Sequence, residues 1–231
     1  MTDRLRKLGI VLAVMGLAFI VGGGYAYMKV QEGTRSLNAF SAAQGVELSY
    51  NEEGQLVDRG DPAQAQAIMA LLASDWGYPV QNGDLNPNDP TVNTASEYMF
   101  QMATIAYHTL HGTQTVILTE DATGPDGTVY PAGTYEFPVD GRYWTDFDRT
   151  NPIEGKAREQ AWTGTAHALI AELGVGTVTA STLQMGLGMA GLFAGVGFAF
   201  IITGLGLVWA VRVPQPETSK VRETSPAPIP A

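Results

Sequence analysis

The chain is 231 residues long, carries a formal net charge of −10 and contains no cysteine. The missing thiols exclude a disulfide scaffold, thiolate metal sites and a cysteine nucleophile. The acidic balance argues against a nucleic-acid partner and against docking on anionic lipid headgroups.

The first element is residues 8–28, which are 21 apolar or uncharged positions behind Arg4, Arg6 and Lys7. At about 1.5 Å of rise per residue, that length matches a hydrocarbon core of roughly 30 Å, so a transmembrane helix is expected. A secretory signal also opens with a basic stretch, but its apolar stretch is usually about 7–15 residues and ends at a small-x-small site. YAYMKVQEG, which follows here, is a poor match to such a site, so the segment reads as an uncleaved anchor. Ala18, Gly22 and Ala26 recur every four residues along it. Small residues at that spacing let helix backbones approach closely in lipid.

VQEGTRSLNAFSAAQG extends this helix or forms a short one of its own. Val46, Leu48 and Tyr50 then alternate, residues 51–54 turn and residues 55–57 return, which predicts a hairpin. Asp61-Pro62 opens a helix, because Asp caps well and Pro fits the first turn; Ile68, Leu71 and Leu72 give it an apolar face up to Asp75-Trp76-Gly77. In the loop beyond, Asp84, Asn86 and Asn88 have the one-three-five spacing of an EF-hand. Asp89 and Ala95 stand at the sixth and twelfth positions, where that loop needs Gly and Glu, so Asx-turns are expected instead.

The strongest helix signal is TASEYMFQMATIAYHTLHG. Thr94 and Glu97 make a capping box, Gly112 supplies the stop, and Tyr98, Met102, Ile105 and Thr109 form a stripe broadened by Phe100 and Leu110. TQTVILTE reads as a strand, and TVY and TYEFPV read as a hairpin around Pro131-Ala132-Gly133. A loop of acids and aromatics leads to a helix from Ile153 through KAREQAWTGTAHALIAELG, which continues toward a second apolar segment at residues 183–211. That segment has 29 residues without a charge, enough to span with tilt. Counted from Leu173 the uncharged run is 39 residues, more than a bilayer needs, so part of it is expected to pack on the outer domain or lie in the interface. Within it Gly191 and Gly195 form a GxxxG pair, with Gly188, Gly204 and Gly206 adding to a smooth face. These faces serve the packing of the two helices on each other or seat another membrane protein. The final stretch, rich in Pro, Ser and Thr, reads as a disordered tail.

Charge sets the expected orientation. Arg4, Arg6 and Lys7 against Asp3 leave +2 before the first segment, and three basic residues against two acidic ones leave +1 after Val211. Residues 29–182 hold 7 Lys/Arg and 20 Asp/Glu, or −13. Short basic flanks stay inside, so both termini are expected in the cytoplasm of a multi-pass cell-membrane protein. The organisation is therefore a cytoplasmic N-terminus (1–7), a first span (8–28), an extracytoplasmic α+β domain (29–182), a second span (183–211) and a cytoplasmic tail (212–231).

Chemistry has few places to sit. His108 and His111 stand at i, i+3 near a helix end, with Glu97, Asp146, Asp148 or Glu172 as a candidate third ligand and His167 the remaining histidine. Two His and a carboxylate suit non-haem iron or open zinc, although histidines in a last turn also cap carbonyls. Asp146 and Asp148 with Tyr143, Trp144 and Phe147 resemble a cation or sugar platform, or serve as partners for Arg142 and Arg149.

The stretches RLRKLGIVLAVMGLAFIVGGGYAY, ASEYMFQMATIAYHTLHGTQTV, PAGTYEFPVDGRYWTDFDR and AWTGTAHALIAELGVGTVTASTLQ resemble a family of small two-span actinobacterial membrane proteins of undefined function, over most of residues 4–211. Members often carry the label aromatic ring-opening dioxygenase. The label implies a metal-dependent oxygenase, here through His108 and His111. Extradiol enzymes, though, are soluble domains with a facial iron triad, and the three histidines here lie in no diagnostic motif. The expectation is therefore an accessory or scaffold protein without catalysis or cofactor, meeting the bilayer and another membrane protein. A metal-dependent enzyme with Fe or Zn, or an extracytoplasmic sensor, is the alternative.

Overall fold

The computed structural model describes residues 2–81 and 83–211. These divide into two compact units, Met28–Leu187 and the helical ends that precede and follow it in sequence. The expected tail at 212–231, with Arg212, lies outside the described residues.

Two helices dominate. Helix α1 (Thr2–Gln44) runs 43 residues and α5 (Gly164–Ala210) runs 47, both long and apolar enough to cross a membrane. In the smaller unit they pack antiparallel on a seam of small residues. A Cβ added to Gly16 would lie 2.5 Å from the Gly197 carbonyl oxygen, and one on Gly23 would lie 2.9 Å from that of Ala190. One on Gly204 would strike the carbonyl oxygen of Gly9. Gly9, Gly16 and Gly23 on one helix, and Ala190, Gly197 and Gly204 on the other, are seven residues apart and buried. That spacing keeps one stripe facing a partner crossed at a shallow angle. Phe19 fills the space beside the seam, its ring 5.9 Å from both Phe193 and Phe200.

Of the two roles expected for Gly22, Gly191 and Gly195, the packing of the two helices on each other is not the one they take here. Each has nothing within 4 Å of the position a Cβ would take. Ala18 is exposed and Ala26 half-buried. The seam follows the heptad rather than the four-residue repeat, because 3.5 residues per turn holds two long helices in register where a GxxxG pair serves one crossing.

The larger unit is α+β. The hairpin β1 (Ser49–Tyr50) with β2 (Leu56–Val57) precedes α2 (Pro62–Ala70), whose first turn is capped by Asp61 accepting from the Ala63 N–H at 2.8 Å. The helix ends in a π-helical turn, Leu71–Asp75, and the chain reverses at Gly77 with φ +65°. Helix α3 (Ala95–Leu110) lies at the centre, with every residue at least half-buried. Of the expected face, Tyr98, Phe100 and Leu110 are buried while Met102, Ile105 and Thr109 are only half-buried, and Ser96, Ala103 and Ala106 complete the buried side. The small alanines let α2 come close: Ile68, Leu72 and Ala103 are fully buried in one cluster. Burial of a side chain of the Ile68 or Leu72 type contributes about 1.5–3 kcal/mol.

Strand β3 (Thr113–Leu118) pairs antiparallel with β6 (Gly133–Pro138), and the short β4 (Ala122–Thr123) pairs with β5 (Val129–Tyr130). The expected hairpin of TVY with TYEFPV is therefore replaced by one hairpin nested inside another. Asp126 accepts from both the Thr128 N–H (3.0 Å) and its hydroxyl (2.7 Å), and Gly127 sits at φ +83°, so the tight turn closes TVY back onto Ala122–Thr123. Gly112 is not a left-handed stop either. His111 caps α3, and Gly112 is needed for closeness, a Cβ there lying 3.1 Å from the His108 carbonyl oxygen. The helix expected from Ile153 onward is two helices. Helix α4 (Pro152–Ala161) ends at Trp162, which turns out of helical geometry with ψ 65° and donates its indole N–H to the Arg142 carbonyl at 3.1 Å. Helix α5 then starts afresh, with the Thr163 hydroxyl accepting from the Ala166 N–H at 3.1 Å.

Candidate functional site

The histidines do not converge. His108 Nε2 lies 2.8 Å from Asp58 Oδ2, an ion pair when the ring is protonated, and it ties α3 to the turn after β2. His111 directs Nδ1 to the Tyr107 carbonyl at 2.9 Å and packs its ring 4.2 Å from that of Tyr107. His167 directs Nδ1 to the Thr163 carbonyl at 3.0 Å and meets Trp144 edge-on. Glu97 is at the opposite end of α3, eleven residues from His108, or about 16 Å of helix. One ion cannot reach both, so the set His108, His111 and Glu97 is corrected. Among the described residues no three His, Asp or Glu form a group that could hold a metal. Glu97 serves the backbone instead. Its Oε2 accepts from the N–H of Asn93 (2.9 Å) and of Thr94 (2.8 Å) at 2% exposure. Burial raises the pKa of its carboxyl above the ordinary range, opposed by those hydrogen bonds.

The acid–aromatic loop is engaged with itself. Asp146 accepts from the Tyr143 N–H at 2.9 Å, and Asp148 accepts from the N–H and hydroxyl of Thr150, which lowers its pKa. Phe147 is buried, and the Trp144 face is covered by the Arg158 guanidinium 3.8 Å from the ring centre. Asn86 closes an Asx-turn onto the Asn88 N–H at 3.0 Å.

An apolar feature with room for a ligand is a cavity of about 480 Å³ in the larger unit, within the usual range for small-molecule pockets, beside a second space of about 410 Å³ whose lining is charged and includes Asp121, Arg149, Lys156 and Glu159. Three helices wall the apolar cavity: α1 through Leu37 and Phe40, α3 through Tyr98 and Ile105, and α5 through Leu173 and Gly176. Val46 and Val92, which join the β1 region to the loop before α3, complete the apolar surface. The buried Ser41 and Tyr98 hydroxyls share a hydrogen bond of 2.8 Å, so their polarity is satisfied internally. Gln44 and Glu172 stand at exposed positions of the lining, and no Lys, Arg or His joins them.

Tyr98 holds this wall because α5 presents a glycine to it. A Cβ at residue 176 would lie 2.6 Å from two Tyr98 ring carbons. Gly176→Ala is therefore expected to push the ring off Ser41 and destabilise the larger unit by about 1–3 kcal/mol, as overpacking does. The check is the melting midpoint of the full chain by circular dichroism; an unchanged midpoint would show that the ring has somewhere else to go.

No protein-family model, no curated protein and no solved structure matches this chain. What the site can do therefore follows from its own geometry. Sequence reasoning misses the cavity, although one signal points to it: the uncharged run that begins at Leu173, ten residues ahead of 183, supplies most of the α5 wall, with Leu169 and Glu172 just before it.

Proposed function

We propose that the chain is a two-span membrane protein with cytoplasmic termini, whose acidic extracytoplasmic α+β domain is held in place as an assembly module, an accessory or scaffold component and not a catalyst. The observation that carries this is the outward glycine face of α5. Gly188, Gly191, Gly195 and Gly206 have nothing within 4 Å, whereas Ala190, Gly197 and Gly204 are buried in the seam. Two residues of helix are about 200° of rotation, so Gly195 looks away from the side on which Gly197 packs. Glycine in a helix costs about 1 kcal/mol against alanine. Several on one unoccupied face make physical sense where another backbone must come close. Neither apolar segment holds an Asp, Glu, Lys, Arg or His, which argues against a transport path.

The test is site-specific photo-crosslinking in native membranes, with the reactive residue at position 191 or 195 and a control at the buried position 197. A discrete crosslinked partner from 191 and 195 and none from 197 is the expected result. A chain that stays monomeric and captures nothing from either outward position overturns the reading.

A further inference from the structure

We infer that the cavity walled by α1, α3 and α5 binds the hydrocarbon chain of a neutral lipid, of the isoprenoid-alcohol or uncharged acyl-lipid class. The inference rests on the membrane setting proposed above for its source of ligand, and on the cavity for its chemistry.

Three properties select that occupant. The lining is apolar, with Leu37, Phe40, Val46, Ile105 and Leu173 among its side chains, and its one buried polar pair, Ser41 with Tyr98, is bonded to itself at 2.8 Å. A ligand rich in hydrogen-bonding groups would lose its water over most of that surface and find few partners in return. Charge narrows the choice further. The lining includes Glu172, at an exposed position, and no cation, so a carboxylate or phosphate head would meet a like charge with no guanidinium or ammonium to receive it. A neutral head can instead use Gln44 and Gln101 at the lining. Lastly, two of the three walls belong to the helices that carry the apolar segments. Gly176 precedes residue 183 by seven residues, about 10 Å along a single unbroken helix. A chain drawn from a bilayer is the apolar ligand such helices would meet first.

The probes are a diazirine-bearing farnesol, which is neutral, and a diazirine-bearing palmitate, which is anionic, each irradiated with the full chain purified in mild detergent. Photo-farnesol is expected to label peptides spanning residues 98–105 or 169–179, in competition with unlabelled farnesol, and photo-palmitate about tenfold less. Val175→Trp and Ile105→Trp put an indole into the space. Loss of labelling in either variant, with its melting midpoint intact, supports the proposal. Labelling that persists in both variants, palmitate labelling equal to farnesol, or no label on these peptides overturns it. Glu172→Lys is expected to raise palmitate labelling toward that of farnesol, and an unchanged ratio would sink the charge argument. Alkaline carbonate washing of native membranes separates the two proposals. A chain washed off the membrane that still takes photo-farnesol defeats the membrane reading alone, and a chain retained there with an unlabelled cavity defeats this one alone.

Discussion

Gly16→Ala is expected to part the two apolar helices, whereas Gly22→Ala, six residues further on, leaves them together. The added methyl at residue 16 would sit 2.5 Å from the Gly197 carbonyl oxygen, 2.8 Å from Ile201 Cγ1 and 2.9 Å from the Ile201 nitrogen. Two of these three obstacles are backbone, so no rotamer change relieves them and the helix axes must separate. The reciprocal change, Gly197→Ala, meets the Gly16 carbonyl and Ile20 Cγ1 at 2.7 Å each. Alanine improves helix propensity by about 1 kcal/mol over glycine, while forced overpacking costs typically about 1–3 kcal/mol and more when backbone is the obstacle. At residues 16 and 197 the clash wins. At residues 22 and 195 nothing lies within 4 Å, so the propensity gain stands alone and those variants should be neutral or slightly more stable. The measurement is the yield of a short bismaleimide crosslink between Phe19→Cys and Phe200→Cys, whose parent rings are 5.9 Å apart. Yield should fall in Gly16→Ala and Gly197→Ala and hold in Gly22→Ala and Gly195→Ala. Equal yields in all four would show that the heptad seam is not what joins the helices.

That seam marks the boundary of what is legible in the chain. Signals confined to a few consecutive residues can be read directly, because their physics is local. Thr94 and Glu97 form the capping box, Asp61-Pro62 starts α2, and residues 51–54 close the first hairpin. Signals that depend on which of two equivalent faces meets a partner cannot. Glycines occur on both faces of each apolar helix, and the four-residue motif points to the face with nothing on it. In α3 the large side chains Met102 and Ile105 suggest the core face, yet the tight approach of α2 is made over Ala103. The strand pairing escapes for a related reason. TVY can close onto either neighbour; the Asp126-Gly127-Thr128 turn that favours Ala122–Thr123 is itself local, but the choice between the two partners is made by the pairing of β3 with β6 around it. The cavity needs segments around residues 40, 100 and 175 brought together, so no local pattern announces it.

Glu97→Ala is expected to be among the most damaging changes of a polar residue in the larger unit. Its carboxylate is the acceptor for two backbone N–H groups, those of Asn93 and Thr94, at a position 2% exposed. Removing it strands both donors where water enters poorly, at about 1–3 kcal/mol each. Part of that loss is recovered, since burial disfavours the charged carboxylate in the first place and raises its pKa. A net loss of about 3 kcal/mol, or roughly 6–12 °C in Tm for a domain of this size, is the expected outcome. Glu97→Gln separates the hydrogen bonds from the charge, because the amide oxygen can still accept from both N–H groups while carrying no proton equilibrium. The pH dependence fixes the sign. A carboxyl whose folded pKa is raised binds its proton more tightly in the folded chain, so its contribution is fully present below the ordinary glutamate value of about 4.3. It is lost as pH climbs through the raised folded value. The stability of the wild type relative to Glu97→Gln should therefore decline as pH rises from about 4. Melting curves of the three proteins between acidic and neutral pH check both statements. A Glu97→Ala midpoint equal to the wild type would mean that the loop before α3 finds other acceptors. A difference between wild type and Glu97→Gln that stays flat with pH would mean that the carboxylate is better solvated than its burial implies.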